Sequence, residues 1–210
     1  MRRWLLPVLI VGCERPTEII SGLSDTGSLI GEWHGLEEES AWTFRDDAIG
    51  DEAPEPEELV LARYAGEGQM ELRRGERWAD ADPIGSLSFE LTDGLTLIGW
   101  EVDGASGEGI YPVYEGEPTP GATVSNGSWS CEVDLNEDVE TFYGIFPASM
   151  RVGCTIGGIG LDDGSSGDTG SSEAVYGVTG TPAGYWSFAP GIGLVRVQSA
   201  DFDLNLVAPW

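Results

Sequence analysis

From Leu29 to the C-terminus, short alternating or apolar runs are separated by Gly, Pro, Asp and Asn, about every eight to twelve residues. Alternation with period two puts successive side chains on opposite faces of a strand. No stretch carries a sustained apolar stripe at helical spacing. Candidate strands fall at 29–36, 41–45, 58–64, 69–73, 85–92 and 95–102 in the first half. The second half offers 110–114, 128–135, 139–146, 149–156, 174–178, 185–188, 194–198 and 202–207. Asp93-Gly94, Asn136-Glu137-Asp138 and Ser199-Ala200-Asp201 supply tight turns between several of them. The spacing therefore predicts an all-β fold, a sandwich or a barrel.

Three segments read as loops. Residues 46–58 are acidic with two prolines, 115–127 form a Pro/Gly-rich connection, and 161–173 are of low complexity. The middle connection could divide two subdomains near 115–127, but neither half alone shows an obvious closed core. One antiparallel domain over 29–210 is the simpler expectation.

Charge narrows the function. Asp and Glu number 37 against 10 basic residues, all of them Arg, for a net charge of −27. Such a field repels phosphate backbones, so nucleic acid is excluded as a partner. With no Lys and a single His, Schiff-base chemistry, a P-loop lysine and a two-imidazole metal site are excluded as well. Hydrophobic residues make up 40% of the chain, enough to build a core rather than remain disordered.

The N-terminus states an address. Met1-Arg2-Arg3-Trp4 precedes the apolar run Leu5 to Val11, the layout of an export signal. That run is too short to span a bilayer as a permanent helix. Ile10-Val11-Gly12-Cys13 resembles a bacterial lipobox, in which the cysteine is lipidated and becomes N-terminal after cleavage. The resemblance implies a signal peptide at 1–12, a lipidated Cys13, a flexible tether at 13–28 and attachment to a membrane. Glu14 in place of Asp favours the outer membrane by similarity to sorting signals. The plain alternative is a buried N-terminal strand whose cysteine is incidental.

If Cys13 is acylated, only Cys131 and Cys154 remain to pair, and an export compartment is oxidising. A disulfide is expected, with two buried free thiols as the alternative. In a plain meander the strand at 139–146 would separate the two cysteine strands by about twice the 4.8 Å strand spacing. That is too far for a disulfide. The pairing therefore predicts a fold-back at Phe146-Pro147.

Other motifs yield to simpler readings. Asp-Thr-Gly-Ser occurs at 25–28 and 168–171, yet neither copy follows the buried strand that an aspartic dyad requires. Asp162, Asp168 and Glu173 fall at positions 1, 7 and 12 of a frame faintly like a calcium loop, without flanking helices. A solvated loop explains them, with weak calcium binding as the alternative. His34 has no nucleophile motif beside it, and no spacing singles out a carboxylate pair for hydrolysis. The tryptophans hold the most latent function. Trp33, Trp42, Trp78, Trp100, Trp129 and Trp186 lie in or beside predicted strands, where aromatics usually fill a core. The alternative is an apolar pocket or a sugar-stacking surface, for which Trp33, Trp100, Trp129 and Trp186 are the candidate contacts.

Residues 184–196, read Gly-Tyr-Trp-Ser-Phe-Ala-Pro-Gly-Ile-Gly-Leu-Val-Arg, resemble the C-terminal hairpin of bacterial lipoproteins of unknown function. Ala41 to Arg45 and Asn126 to Trp129 resemble two further strand openings of that group. The resemblance implies a curved antiparallel sheet, half-barrel or sandwich-like, similar to the open half-barrels of periplasmic lipoprotein carriers. Pro190-Gly191 would form the turn, with Phe188 and Val195 near each other across it. No catalytic residue or cofactor comes with it. The expected function is a non-enzymatic binding or structural module of the cell envelope, its partner an envelope protein, a glycan or an apolar ligand. A carrier holding an apolar ligand in a half-barrel cavity is the alternative, and a carboxylate-dependent hydrolase a weaker one.

Overall fold

A computed structural model describes residues 33, 36, 40–46, 59–157, 181–200 and 203–209. Its strands are β1 (Ala41–Asp46), β2 (Leu59–Gly66), β3 (Gln69–Arg74), β4 (Asp82–Glu90), β5 (Gly94–Val102) and β6 (Ala105–Glu115). They continue with β7 (Thr123–Asn126), β8 (Trp129–Glu140), β9 (Ile145–Ile156), β10 (Gly184–Ala189), β11 (Gly193–Ser199) and β12 (Asp203–Pro209). Cys13, the tether, His34, the calcium-like Asp162, Asp168 and Glu173, and the expected strand at 174–178 lie outside the described residues.

All twelve strands join one antiparallel sheet in the order β6-β5-β4-β3-β2-β1-β12-β11-β10-β9-β8-β7. Each neighbour is also the neighbour in sequence, except that β1 pairs with β12. The sheet curls until its free edges, β6 and β7, face each other at mid-chain. It is a nearly closed barrel, rolled further than a half-barrel.

Alternation decides what fills it. In β3, Gln69 and Glu71 are exposed while Met70 and Leu72 are buried, and most other strands repeat the pattern. The interior is crowded. The Phe89 ring on β4 meets Trp186 on β10 edge-on at 6.4 Å, and Tyr114 on β6 meets Phe188 on β10 at 5.9 Å. β4 and β10 lie six strands apart in a sheet of twelve, so these rings meet across the barrel. Side chains thus fill the interior, as in other small barrels. Charged residues face outward, the reverse of a lipid-facing barrel wall.

The cysteine region corrects two expectations. There is no separate strand at 139–146, and the chain does not turn at Phe146-Pro147. β8 and β9 form one long hairpin whose connection is residues 141–144. Asn136-Glu137-Asp138 is not a turn either; it lies within β8, where the register shifts twice between Leu135 and Val139. Those shifts absorb extra residues without ending the strand, as β-bulges do. Cys131 and Cys154 are then direct register partners, bonded with Cα atoms 4.1 Å apart. Closing a loop with a sequence separation of 23 adds roughly 3 kcal/mol by chain entropy.

Two smaller corrections follow. The connection at 115–127 contains β7, which was not expected. In the β10–β11 hairpin, Phe188 pairs with Leu194 and not Val195, because the register slips between Ser187 and Phe188. At the start of β10, Gly184 has φ +154°, and a Cβ there would stand 1.9 Å from the Gln198 carbonyl oxygen. Only glycine lets the two backbones approach so closely.

Candidate functional site

The four tryptophans singled out by sequence, Trp33, Trp100, Trp129 and Trp186, all belong to the buried core. Trp186 is fully buried and its indole N–H donates to the Pro182 carbonyl at 3.1 Å. Trp129 donates to the Pro112 carbonyl at 2.8 Å. A buried indole that satisfies its N–H on the protein's own backbone is acting as structure.

Trp78 is different. It is half-exposed, in the β3–β4 loop, and lines a groove of about 540 Å³ on the outer face of β1 and β2. Leu61 and Ala41 form the apolar floor, and Arg63, Glu76 and Arg77 supply the polar rim. The local fold explains the placement. Leu61 pairs with Arg73 and Arg63 with Ala41, so the three side chains Ala41, Leu61 and Arg63 share the outward face of adjacent strands. Arg73 then lays its guanidinium over the Trp78 ring at 4.8 Å and donates to the Trp78 carbonyl at 3.3 Å. One face of the indole is pinned in this way, which fixes the ring in place as a wall of the groove.

Arg63, Glu76 and Arg77 stand in no ion pair within the described structure, although the chain is rich in carboxylates. An aromatic wall, an apolar floor and a few uncommitted polar groups are what a small-ligand site requires. Sequence reasoning passed over this site because Arg63, Glu76, Arg77 and Trp78 follow no motif spacing. The only hint was a Trp beside a predicted strand.

No protein family, curated protein or solved structure matches this chain.

The interior holds one polar anomaly. Tyr114 is buried against Phe188, and its hydroxyl has no hydrogen-bond partner. Desolvation drives its pKa far above the usual phenol value of 10.0, so it is neutral at any physiological pH. Among the described residues, no three of His, Cys, Asp and Glu come together as a metal site.

Proposed function

We propose that the chain is a lipid-anchored, non-enzymatic binding module of the cell envelope that recognises its ligand on the outer barrel face. The carrying observation is the Trp78 groove, with its pinned indole and its unpaired Arg63, Glu76 and Arg77. Its chemistry suits a sugar ring: the apolar ring face stacks on the indole while hydroxyls meet the charged rim. The lipobox-like Ile10 to Cys13 supports the anchor, and the Cys131–Cys154 bond fits an oxidising compartment. A carrier holding an apolar ligand inside is the weaker reading, since such a ligand has to displace Phe89, Trp186, Tyr114 and Phe188, which already touch.

Calorimetric titration with a panel of neutral and acidic oligosaccharides tests the groove. Binding that weakens at least about tenfold in Trp78→Ala supports it, since an aromatic anchor contributes on the order of 1.4 kcal/mol or more. Undiminished binding in that variant, or one saturable site for an apolar dye that Trp78→Ala leaves intact, sinks it. The anchor is tested separately: Cys13→Ser is expected to release the protein from membranes.

A further inference from the structure

On the other side of the barrel, the register places arginines far apart in sequence in a single row. Arg151 of β9 pairs with Ser187 of β10, Ser187 with Arg196 of β11, Arg196 with Asn205 of β12, and Asn205 with Arg45 of β1. Paired residues project from the same face of an antiparallel sheet. Three of the ten arginines therefore stand in one line on the outward face of the sheet.

They differ in access. Arg45 and Asn205 are buried beside the β8–β9 hairpin tip, where the Phe142 amide donates to Asn205 Oδ1 at 2.9 Å and the Phe142 ring lies 5.9 Å from the Arg45 guanidinium. Arg151 and Arg196 remain partly exposed on either side of Ser187. Arg151 lies over the Tyr185 ring at 4.6 Å, and Arg196 donates to the Glu140 carbonyl at 3.3 Å. Neither forms an ion pair among the described residues, although Asp134 is the register partner of Arg151. The Nε atom of each is buried without a hydrogen-bond partner. Those Nε atoms are closed to solvent, so an anion is met by the outer Nη groups of the two half-exposed side chains, which have no carboxylate partner among the described residues.

We infer that Arg151 and Arg196 form a binding site for a phosphate group, seated over Ser187. The two arginines rise from strands about 9.6 Å apart, two strand spacings. A carboxylate offers two coplanar oxygens, which suit one guanidinium fork. A tetrahedral phosphate directs oxygens toward both sides at once and carries enough charge for two cations. The phosphate is free in solution or carried on a lipid headgroup, and the two sources are separable.

The full chain is titrated with sodium phosphate against sodium chloride at matched ionic strength, following two-dimensional NMR shifts of the arginine Nε–H and Ser187 amide signals. It is floated in parallel with vesicles of phosphatidylglycerol and of phosphatidylcholine. Saturable shifts with phosphate, at least tenfold weaker in Arg151→Gln/Arg196→Gln, establish the site. Flotation with phosphatidylglycerol alone, lost in the same variant, establishes a headgroup as the source. Arg196→Gln alone guards against a misfolded double variant. It removes one of the two cations at a half-exposed position, so it is expected to keep the melting temperature and weaken both responses. Shifts that chloride reproduces, or responses that survive in both variants, overturn the proposal.

Discussion

The barrel closes twice, in different ways. Where the chain's first and last strands meet, β1 and β12 share a backbone ladder from Trp42↔Pro209 to Asp46↔Leu204, with one register shift between Thr43 and Phe44. At mid-chain, β6 and β7 form no ladder. There the bonds come from side chains: Asn126 Nδ2 donates to the Ile110 carbonyl at 2.9 Å and Trp129 Nε1 to the Pro112 carbonyl at 2.8 Å, while Tyr111 packs edge-on against Trp129 at 5.1 Å. Proline explains part of the contrast. Pro112 has no N–H to offer a neighbour, so β6 makes a natural edge. A ladder spreads closure over many equivalent bonds, whereas side-chain closure concentrates it in a few residues.

Single substitutions ought therefore to hurt the mid-chain seam more than the ladder. The largest effect is expected from removing the disulfide just behind that seam. Cys131→Ser/Cys154→Ser is expected to cost about 3 kcal/mol in denaturant unfolding. A loss no greater than that of an ordinary surface substitution would remove the cross-link from the account of closure.

Next comes a matched pair. Trp129→Phe leaves the Pro112 carbonyl without its donor and is expected to cost about 2–3 kcal/mol, with faster hydrogen exchange around 110–115. Trp42 makes the equivalent bond on the laddered side, to the Ile192 carbonyl at 3.1 Å. Trp42→Phe is expected to cost about 1 kcal/mol, because the β1–β12 ladder persists without it. Equal losses in the two variants would show that the ladder gives no extra protection. Asn126→Ala, at an exposed bond, is expected to cost about 0.5–1 kcal/mol and to raise exchange only beside Ile110.

The smallest effect sharpens the seam's interior side. Tyr114 on β6 holds a buried hydroxyl that bonds to nothing, so Tyr114→Phe is expected to change stability near neutral pH by less than about 1 kcal/mol, in the stabilising direction. Its signature lies at alkaline pH. Above pH 10.0 the unfolded phenol ionises while the buried one stays neutral, so wild-type stability falls as pH rises past that value. The phenylalanine variant loses this part of the decline. An unchanged alkaline limb would mean that Tyr114 opens to water before it titrates.

Much of the strand pattern was legible. Runs such as Gln69 to Arg73 and Leu95 to Val102 alternate cleanly, and the structure places strands there with shifts of a residue at the ends. The errors share one cause. Asn136-Glu137-Asp138 has the composition of a turn, and only the pairing with β9 keeps it inside a strand as a bulge. β7 is four residues of weak pattern in a Pro/Gly-rich connection, held by its pairing with β8. The groove and the arginine row were not legible at all. Arg45, Arg151 and Arg196 are separated by about 45 to 150 residues, and nothing local relates them.

The sequence by itself determined that this chain is β-structured, acidic outside and rich in aromatic core, because alternation and composition act residue by residue. With Cys13 read as the lipidated residue, it also pointed to a Cys131–Cys154 disulfide, which the structure contains. Only the tertiary structure decided which strands are neighbours, where the barrel stays unladdered, and which charged side chains share a row. Those depend on register, and register is set by contacts between distant segments.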